Sequence, residues 1–104
     1  MANHLVQLLL PVSDNKGNPF PDSVLARVKQ TLIDKFGGVT AFERSPAQGV
    51  WAQGSAPQQH EDVVTIEVMV DTIDEAWWSG LRLTLERELG QQEIVARAFS
   101  IRML

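Results

Sequence analysis

The sequence contains no cysteine. This absence excludes disulfides, thiolate metal ligands, thiol nucleophiles and iron–sulfur clusters. Basic residues are also few and scattered, since 9 lysines and arginines stand against 13 aspartates and glutamates and give a net charge of −4. Because binding to a phosphate backbone depends on clustered positive charge, we expect no nucleic-acid partner.

Long apolar runs are absent as well. No stretch approaches the ~20 consecutive apolar residues that a membrane span needs. The residues that follow Met1 include no basic region and no small-residue cleavage site of the kind found in secretory signals. We therefore expect a cytoplasmic protein that does not associate with membranes.

Motifs that carry cofactor or metal chemistry are missing too. The sequence has no phosphate-cradling loop, dinucleotide fingerprint or nucleophile elbow, so we expect no cofactor. The triplet His60-Glu61-Asp62 has no second histidine nearby, and we expect no bound metal. Residues 14–18 superficially resemble a calcium loop, but Lys16 stands where an oxygen ligand is needed, so this segment is interpreted as a turn.

What is present is the composition of one folded domain. The chain has 104 residues, of which 44% are hydrophobic, and both values suit a single domain over residues 1–104. We expect Pro21-Asp22-Ser23 to start a helix with side chains that meet free N–H donors, and Gly37 and Gly90 to end helices. The apolar pattern predicts strands over 5–12, 39–44, 63–70 and 93–103, and helices over 21–36 and from the capping box Thr72-Ile73-Asp74-Glu75 to Gly90.

This order predicts an α+β fold of the ferredoxin-like type. The order β-α-β-β-α-β, with right-handed crossovers, places both helices on one face of an antiparallel sheet. The other face then has no helix to cover it. Side-chain alternation assigns these residues of the first and third strands to the uncovered face: Leu5, Gln7, Leu9, Val63, Thr65, Glu67 and Met69. On the last strand alternation leaves two sets open, since either Val95, Arg97, Phe99 and Ile101 or Ile94, Ala96, Ala98 and Ser100 could lie there, and we expect the first set.

An uncovered apolar face of this kind normally marks an interface. We therefore expect a homo-oligomer, a dimer or higher, that assembles through the open sheet face. The alternative is that the loop over 46–60 folds across the sheet and leaves a monomer.

Glu67 and Arg97 are the charged residues predicted on this face, with Gln7 on the strand between them. A charge among apolar neighbours needs a partner. One interpretation is a salt bridge that fixes the register of the dimer. The other is a polar cluster in an interfacial cavity that binds a small anion or performs acid–base chemistry. The sequence favours the salt bridge, because ion pairs without a demonstrated cleft are more often structural.

Tryptophans and nearby charges supply the remaining candidate binding residues. Trp51 lies in an edge segment flanked by glycines and is the best candidate to line a pocket, whose mouth Arg44 could reach. Glu61 is a second candidate base. Trp78 belongs to the apolar stripe of the second helix and is expected in the core, whereas Trp77 is expected to overlap the sheet edge.

The sequence also resembles a group of small uncharacterised bacterial ferredoxin-like proteins. The resemblance covers roughly residues 36–100 and is carried by the segments Phe36-Gly37-Gly38-Val39-Thr40, Gly49-Val50-Trp51 and Gln91-Gln92-Glu93. That group has no assigned reaction, so it implies no site residues. In architecture the chain resembles the dimeric α+β barrel proteins, which include small oxygenases and isomerases, and this likeness concerns the fold alone.

Two functions are compatible with these observations. The first is a noncatalytic, self-associating module that binds a small organic ligand between subunits or between sheet and loop. The alternative is a cofactor-free enzyme on a dimeric barrel, with Glu67 or Glu61 as general base and Arg44 or Arg97 holding an anionic substrate.

Overall fold

The computed structural model describes residues 2–44 and 63–104, and within 40–44 it describes the backbone. The elements of these residues, in chain order, are β1 (His4–Pro11), α1 (Asp22–Phe36), β2 (Thr40–Arg44), β3 (Val63–Val70), α2 (Glu75–Leu89) and β4 (Val95–Ser100).

The strands form an antiparallel sheet of order β2-β3-β1-β4. β1 is central because it pairs with β3 on one side, where Leu8 lies opposite Ile66, and with β4 on the other, where Leu8 lies opposite Ala96. The α+β class with antiparallel strands is thus as predicted. The strand order, with each helix between two non-adjacent strands, is compatible with a ferredoxin-like fold.

Both helices pack against the same face of the sheet. The even-numbered residues of β1 and β3 point towards the helices, as alternation requires, and Leu8 and Ile66 are almost wholly buried. One cluster of buried side chains joins sheet and helices: Val6, Leu8, Leu10, Val28, Leu32, Val64, Ile66, Val68, Val70, Trp78, Leu85, Leu89 and Ile94.

The helix ends follow the predicted glycines but not the predicted caps. Gly37 and Gly90 adopt left-handed backbone with φ of 88° and 63°, and their amides bond back into the preceding helix. At the start of α2 the cap is Asp74, whose carboxylate accepts a hydrogen bond from the Trp77 amide, and not Thr72. α1 begins after Pro21 without a side-chain hydrogen bond at its cap, so the predicted capping there is wrong.

The last strand is shorter than predicted, ending at Ser100 instead of Met103. The reason is that β1 is the partner of β4 in the described sheet, and β1 starts at His4, opposite Ser100. One further bond, from the Ile101 amide to the Asn3 carbonyl, continues the ladder. Beyond it the described residues offer no strand for this segment to pair with.

Trp77 packs between the two helices, and its predicted overlap with the sheet edge stays a prediction, since the side chains of the edge strand β2 lie outside the described residues. Its ring packs edge-on against Phe36 at 5.3 Å and against Trp78 at 5.0 Å, between centroids. The Lys35 ammonium lies 5.0 Å from the centroid of the Trp77 indole. Trp77 therefore joins the end of α1 to the start of α2, while Trp78 lies in the core as predicted.

Among the described residues, neither helix has the length and apolar character that a membrane span requires.

Candidate functional site

The open face is the side of the sheet opposite the helices. We use this name for the face that bears Leu5, Gln7 and Leu9 of β1, Thr65, Glu67 and Met69 of β3, and Val95, Arg97 and Phe99 of β4, which the strand register brings into three cross-strand rows. These residues are those predicted for this face. Large apolar side chains remain exposed on it, since Met69 is 54%, Phe99 43% and Val95 39% accessible.

A line of hydrogen-bonded polar side chains crosses the middle of the open face. The register places Gln7 opposite both Glu67 and Arg97. Gln7 donates through Nε2 to the Glu67 carboxylate at 2.7 Å and accepts at Oε1 from Arg97 Nε at 2.9 Å. We call these three residues the polar row.

The polar row has a negative end and a positive end. In the part of the chain that the structure describes, no direct ion pair joins Glu67 to Arg97, because β1 lies between their strands. Within one chain the two charged groups are instead linked through Gln7, and the predicted salt bridge that fixes the register of a dimer stays a prediction. The Arg97 guanidinium also lies 5.5 Å from the centroid of the Phe99 ring, on the same face. A cation beside an aromatic ring at this distance is attracted to it, so Arg97 is held by two neighbours.

Exposure is uneven across the open face. Thr65 is 1% accessible, although it belongs to the same face as Met69. Its hydroxyl has no hydrogen-bond partner among the described residues. The exposed apolar side chains therefore concentrate at Met69 on β3 and along β4.

A cleft of about 310 Å³ lies on the helix side of the sheet, between α2 and the edge strand β4. Its apolar lining includes Trp78 and Ile73, and its polar lining includes Glu75, Ser79 and Arg82. The cleft exists because β4 carries Ala96 and Ala98 towards the helices, where the central strands carry valine, leucine and isoleucine. We call it the α2–β4 cleft. Sequence reasoning missed it, although the two alanines of β4 were a readable signal.

The walls of the α2–β4 cleft are joined by Glu86. Its Oε2 accepts from Arg82 Nη1 at 2.7 Å and from the Ile94 amide at 2.8 Å. One carboxylate thus fixes both the Arg82 guanidinium on α2 and the start of β4. A second, mainly apolar cavity of about 230 Å³ lies between the end of β1 and the start of α1.

The predicted site residues are not brought together in the described part of the chain. Glu67 and Arg97 share the polar row. Arg44 ends β2, where its backbone pairs with Val63. Trp51 and Glu61 lie outside the described residues, as does the loop over 46–60. The pocket beside Trp51 and the general-base role of Glu67 or Glu61 stay predictions.

The segment from Asp14 to Asn18 is a turn, as predicted. The Asp14 carboxylate accepts from the Asn18 and Lys16 amides, both at 2.8 Å. These bonds, the one from Asn18 first, lower the pKa of Asp14. The carboxylate oxygens are therefore engaged within their own loop. The described residues contain no group of three or more histidine, aspartate or glutamate side chains placed to hold a metal ion.

The chain was compared with protein-family models, with curated proteins and with solved structures, and none of them matches it. The resemblance to small bacterial ferredoxin-like proteins accordingly stays a prediction.

Proposed function

We propose that this domain is a self-associating module, and that its open face binds a second copy of the same chain. The observation that carries the proposal is the exposure of three large apolar side chains on a sheet face that no described helix covers. Met69 and Phe99 lie in one cross-strand row, and Val95 lies on the other side of the polar row. Large apolar side chains exposed together on one face are uncommon on soluble monomers and mark interfaces. About half of each of these three side chains is accessible, so complete burial of each one in an interface would contribute roughly 1 kcal/mol to the free energy of association.

The polar row supports a second copy as the occupant of this face. A partner of uniform charge would satisfy one end of the row and repel the other. An identical face carries both a negative charge, on Glu67, and a positive charge, on Arg97. It can therefore place an opposite charge against each end of the polar row. Charge complementarity thus favours self-association over binding of an acidic or a basic partner.

Sedimentation of the parent and of single variants tests this proposal. We expect the parent to be a dimer or higher oligomer at tens of micromolar. Met69→Glu should shift the mass towards monomer, because it places a charge in the apolar part of the interface. Met103→Glu is the matched control, because Met103 is 49% accessible but lies beyond β4. The mass of this variant in solution should equal that of the parent. A monomeric parent, or an unchanged mass for Met69→Glu, would contradict the proposal.

The α2–β4 cleft favours a second candidate function, the binding of a small organic ligand. Its volume falls at the lower end of the range of small-molecule sites. An apolar lining with Trp78, next to the Arg82 guanidinium, suits a small carboxylate with an apolar body. The test is NMR of nitrogen-labelled protein, to which aliphatic and aromatic carboxylates are added one at a time at millimolar concentration. Amide shifts confined to α2 and β4, and lost in Ala98→Leu, would support it, and an unchanged spectrum would reject it.

A further inference from the structure

We propose that two copies pair across a two-fold axis that runs parallel to the strands and passes over Gln7. This arrangement sets Glu67 of each copy against the partner subunit's Arg97. The inference rests on the proposed self-association and specifies the geometry of that same face.

The first step is the packing of two twisted sheets. Sheets that pack face to face keep their strand directions within about 30° of each other, or else cross at near right angles. In an isologous pair of facing sheets the two-fold axis lies between them, in the plane of the interface. Orthogonal packing would turn the polar row of one copy along β1 of the other and leave Glu67 and Arg97 against apolar side chains, which is unfavourable for charged groups. Aligned packing restricts the axis to two directions, either along the strands or along the cross-strand rows.

The second step uses the charges, which distinguish these two directions. The polar row runs across the strands, from Glu67 on β3 through Gln7 on β1 to Arg97 on β4. An axis along the strands reverses the row, so that opposite charges face each other at both ends. An axis along the row leaves its order unchanged, so that Glu67 faces the partner subunit's Glu67 and Arg97 faces the partner subunit's Arg97. Like charges in contact are unfavourable, and the axis along the strands is selected.

The polar side chains have bonding capacity left for such a partner. The hydrogen bonds to Gln7 occupy one oxygen of the Glu67 carboxylate and the Nε–H of Arg97. A guanidinium has five N–H donors and a carboxylate has about four acceptor sites. The two bonds to Gln7, together with the Phe99 ring beside Arg97, hold the charged groups in place before association.

The same axis also matches the apolar side chains. Met69, Leu5 and Phe99 form the cross-strand row next to the polar row. Reversal of that row places Met69 against the partner subunit's Phe99. Met69 and Phe99 are both exposed in one chain, and contact between a thioether and an aromatic ring is favourable. Charge and apolar matching therefore agree on one axis.

Charge reversal in solution tests this pairing. In Glu67→Arg both ends of the row are basic, and in Arg97→Glu both ends are acidic. Each variant alone should dissociate at least about tenfold more readily than the parent, because like charges then face each other. A mixture of the two should form a heterodimer, and Glu67→Arg/Arg97→Glu should dimerise as the parent does.

The matched control reverses an ion pair away from the open face. Arg27 and Glu88 join the two helices at 2.6 Å and are both partly exposed. Arg27→Glu and Glu88→Arg should keep the mass of the parent. Circular dichroism of every variant checks that the fold is retained. Should a reversal variant fail to fold, the parent alone gives a second measure, since its dissociation constant should rise with salt as the ion pairs are screened.

The outcomes separate the two proposals. A monomeric parent contradicts self-association and the pairing with it. A dimeric parent whose single reversals dimerise unchanged, whose mixed variants form no heterodimer, or whose dissociation is independent of salt overturns the two-fold pairing and leaves self-association standing. Weakened single variants together with a restored heterodimer establish the axis along the strands.

Discussion

Replacement of Gln7 by methionine tests whether the polar row acts as one unit. The change removes the hydrogen bonds to Glu67 and from Arg97 while keeping a side chain of similar length. Glu67 is half-buried and Arg97 is exposed. The free energy of unfolding lost in Gln7→Met is therefore smaller than the ~3–5 kcal/mol that breaking a buried ion pair typically costs.

The geometry gives the expected size of the effect. Glu67 and Arg97 lie on the two strands that flank β1, so their backbones are about 10 Å apart at the usual strand spacing. Their direct attraction through water at that distance is about 0.4 kcal/mol before salt screening. A hydrogen bond to a charged group contributes about 1.5 kcal/mol net, and less where one partner is exposed. We expect Gln7→Met to lower the free energy of unfolding by about 1–2 kcal/mol.

A double-mutant cycle measures the relay itself. Glu67→Gln and Arg97→Met should show a coupling energy of about 0.5–1 kcal/mol in the parent, because neighbours in one hydrogen-bond network are not additive. In the Gln7→Met background the coupling should fall to about 0.3 kcal/mol or less, when it is measured at a protein concentration below dimerisation, because only the direct attraction within one chain then remains.

Urea unfolding at two protein concentrations supplies these free energies and separates folding from association. Gln30→Met is the matched control, because Gln30 donates one exposed hydrogen bond to Asp34 within α1. Its effect should stay within about 0.5 kcal/mol. A coupling energy that is the same with and without Gln7 would refute the relay, as would a Gln7→Met variant as stable as the parent.

Two further predictions concern single groups. Thr65→Val should raise the melting temperature by roughly 4 °C, for a gain of about 1 kcal/mol in stability, because it removes a buried hydroxyl without a described hydrogen-bond partner. Thr31→Val is the control, since the Thr31 hydroxyl is exposed and donates to the Arg27 carbonyl, and it should not raise the melting temperature. Because its folded-state pKa is lowered, Asp14 should stabilise the fold at neutral pH and lose that contribution as pH falls through this pKa, which stability-against-pH curves for the parent and Asp14→Asn would check.

Local sequence patterns were enough to predict the elements, their order and the two faces of β1 and β3. Strand alternation in β3 and helical spacing in α2 are local patterns, and they identified Ile66 and Trp78 as core residues, as observed. They also assigned Glu67 and Gln7 to the open face, whereas the face of Arg97 was left between two alternatives that the pairing of β4 with β1 resolves. Each of these inferences needs only the direction of a side chain relative to its own backbone, which the period of 2.0 or 3.6 residues fixes.

How these groups meet depends on contacts between elements that are distant in sequence. The relay through Gln7 depends on the register of three strands, the length of β4 depends on where β1 begins, and the α2–β4 cleft depends on how closely a helix approaches two alanines. Trp77 illustrates the same limit, because its place beside Phe36 is set by the packing of two helices that are distant in sequence. Contacts between distant segments depend on the distances and angles between whole elements, and local periodicity does not contain them.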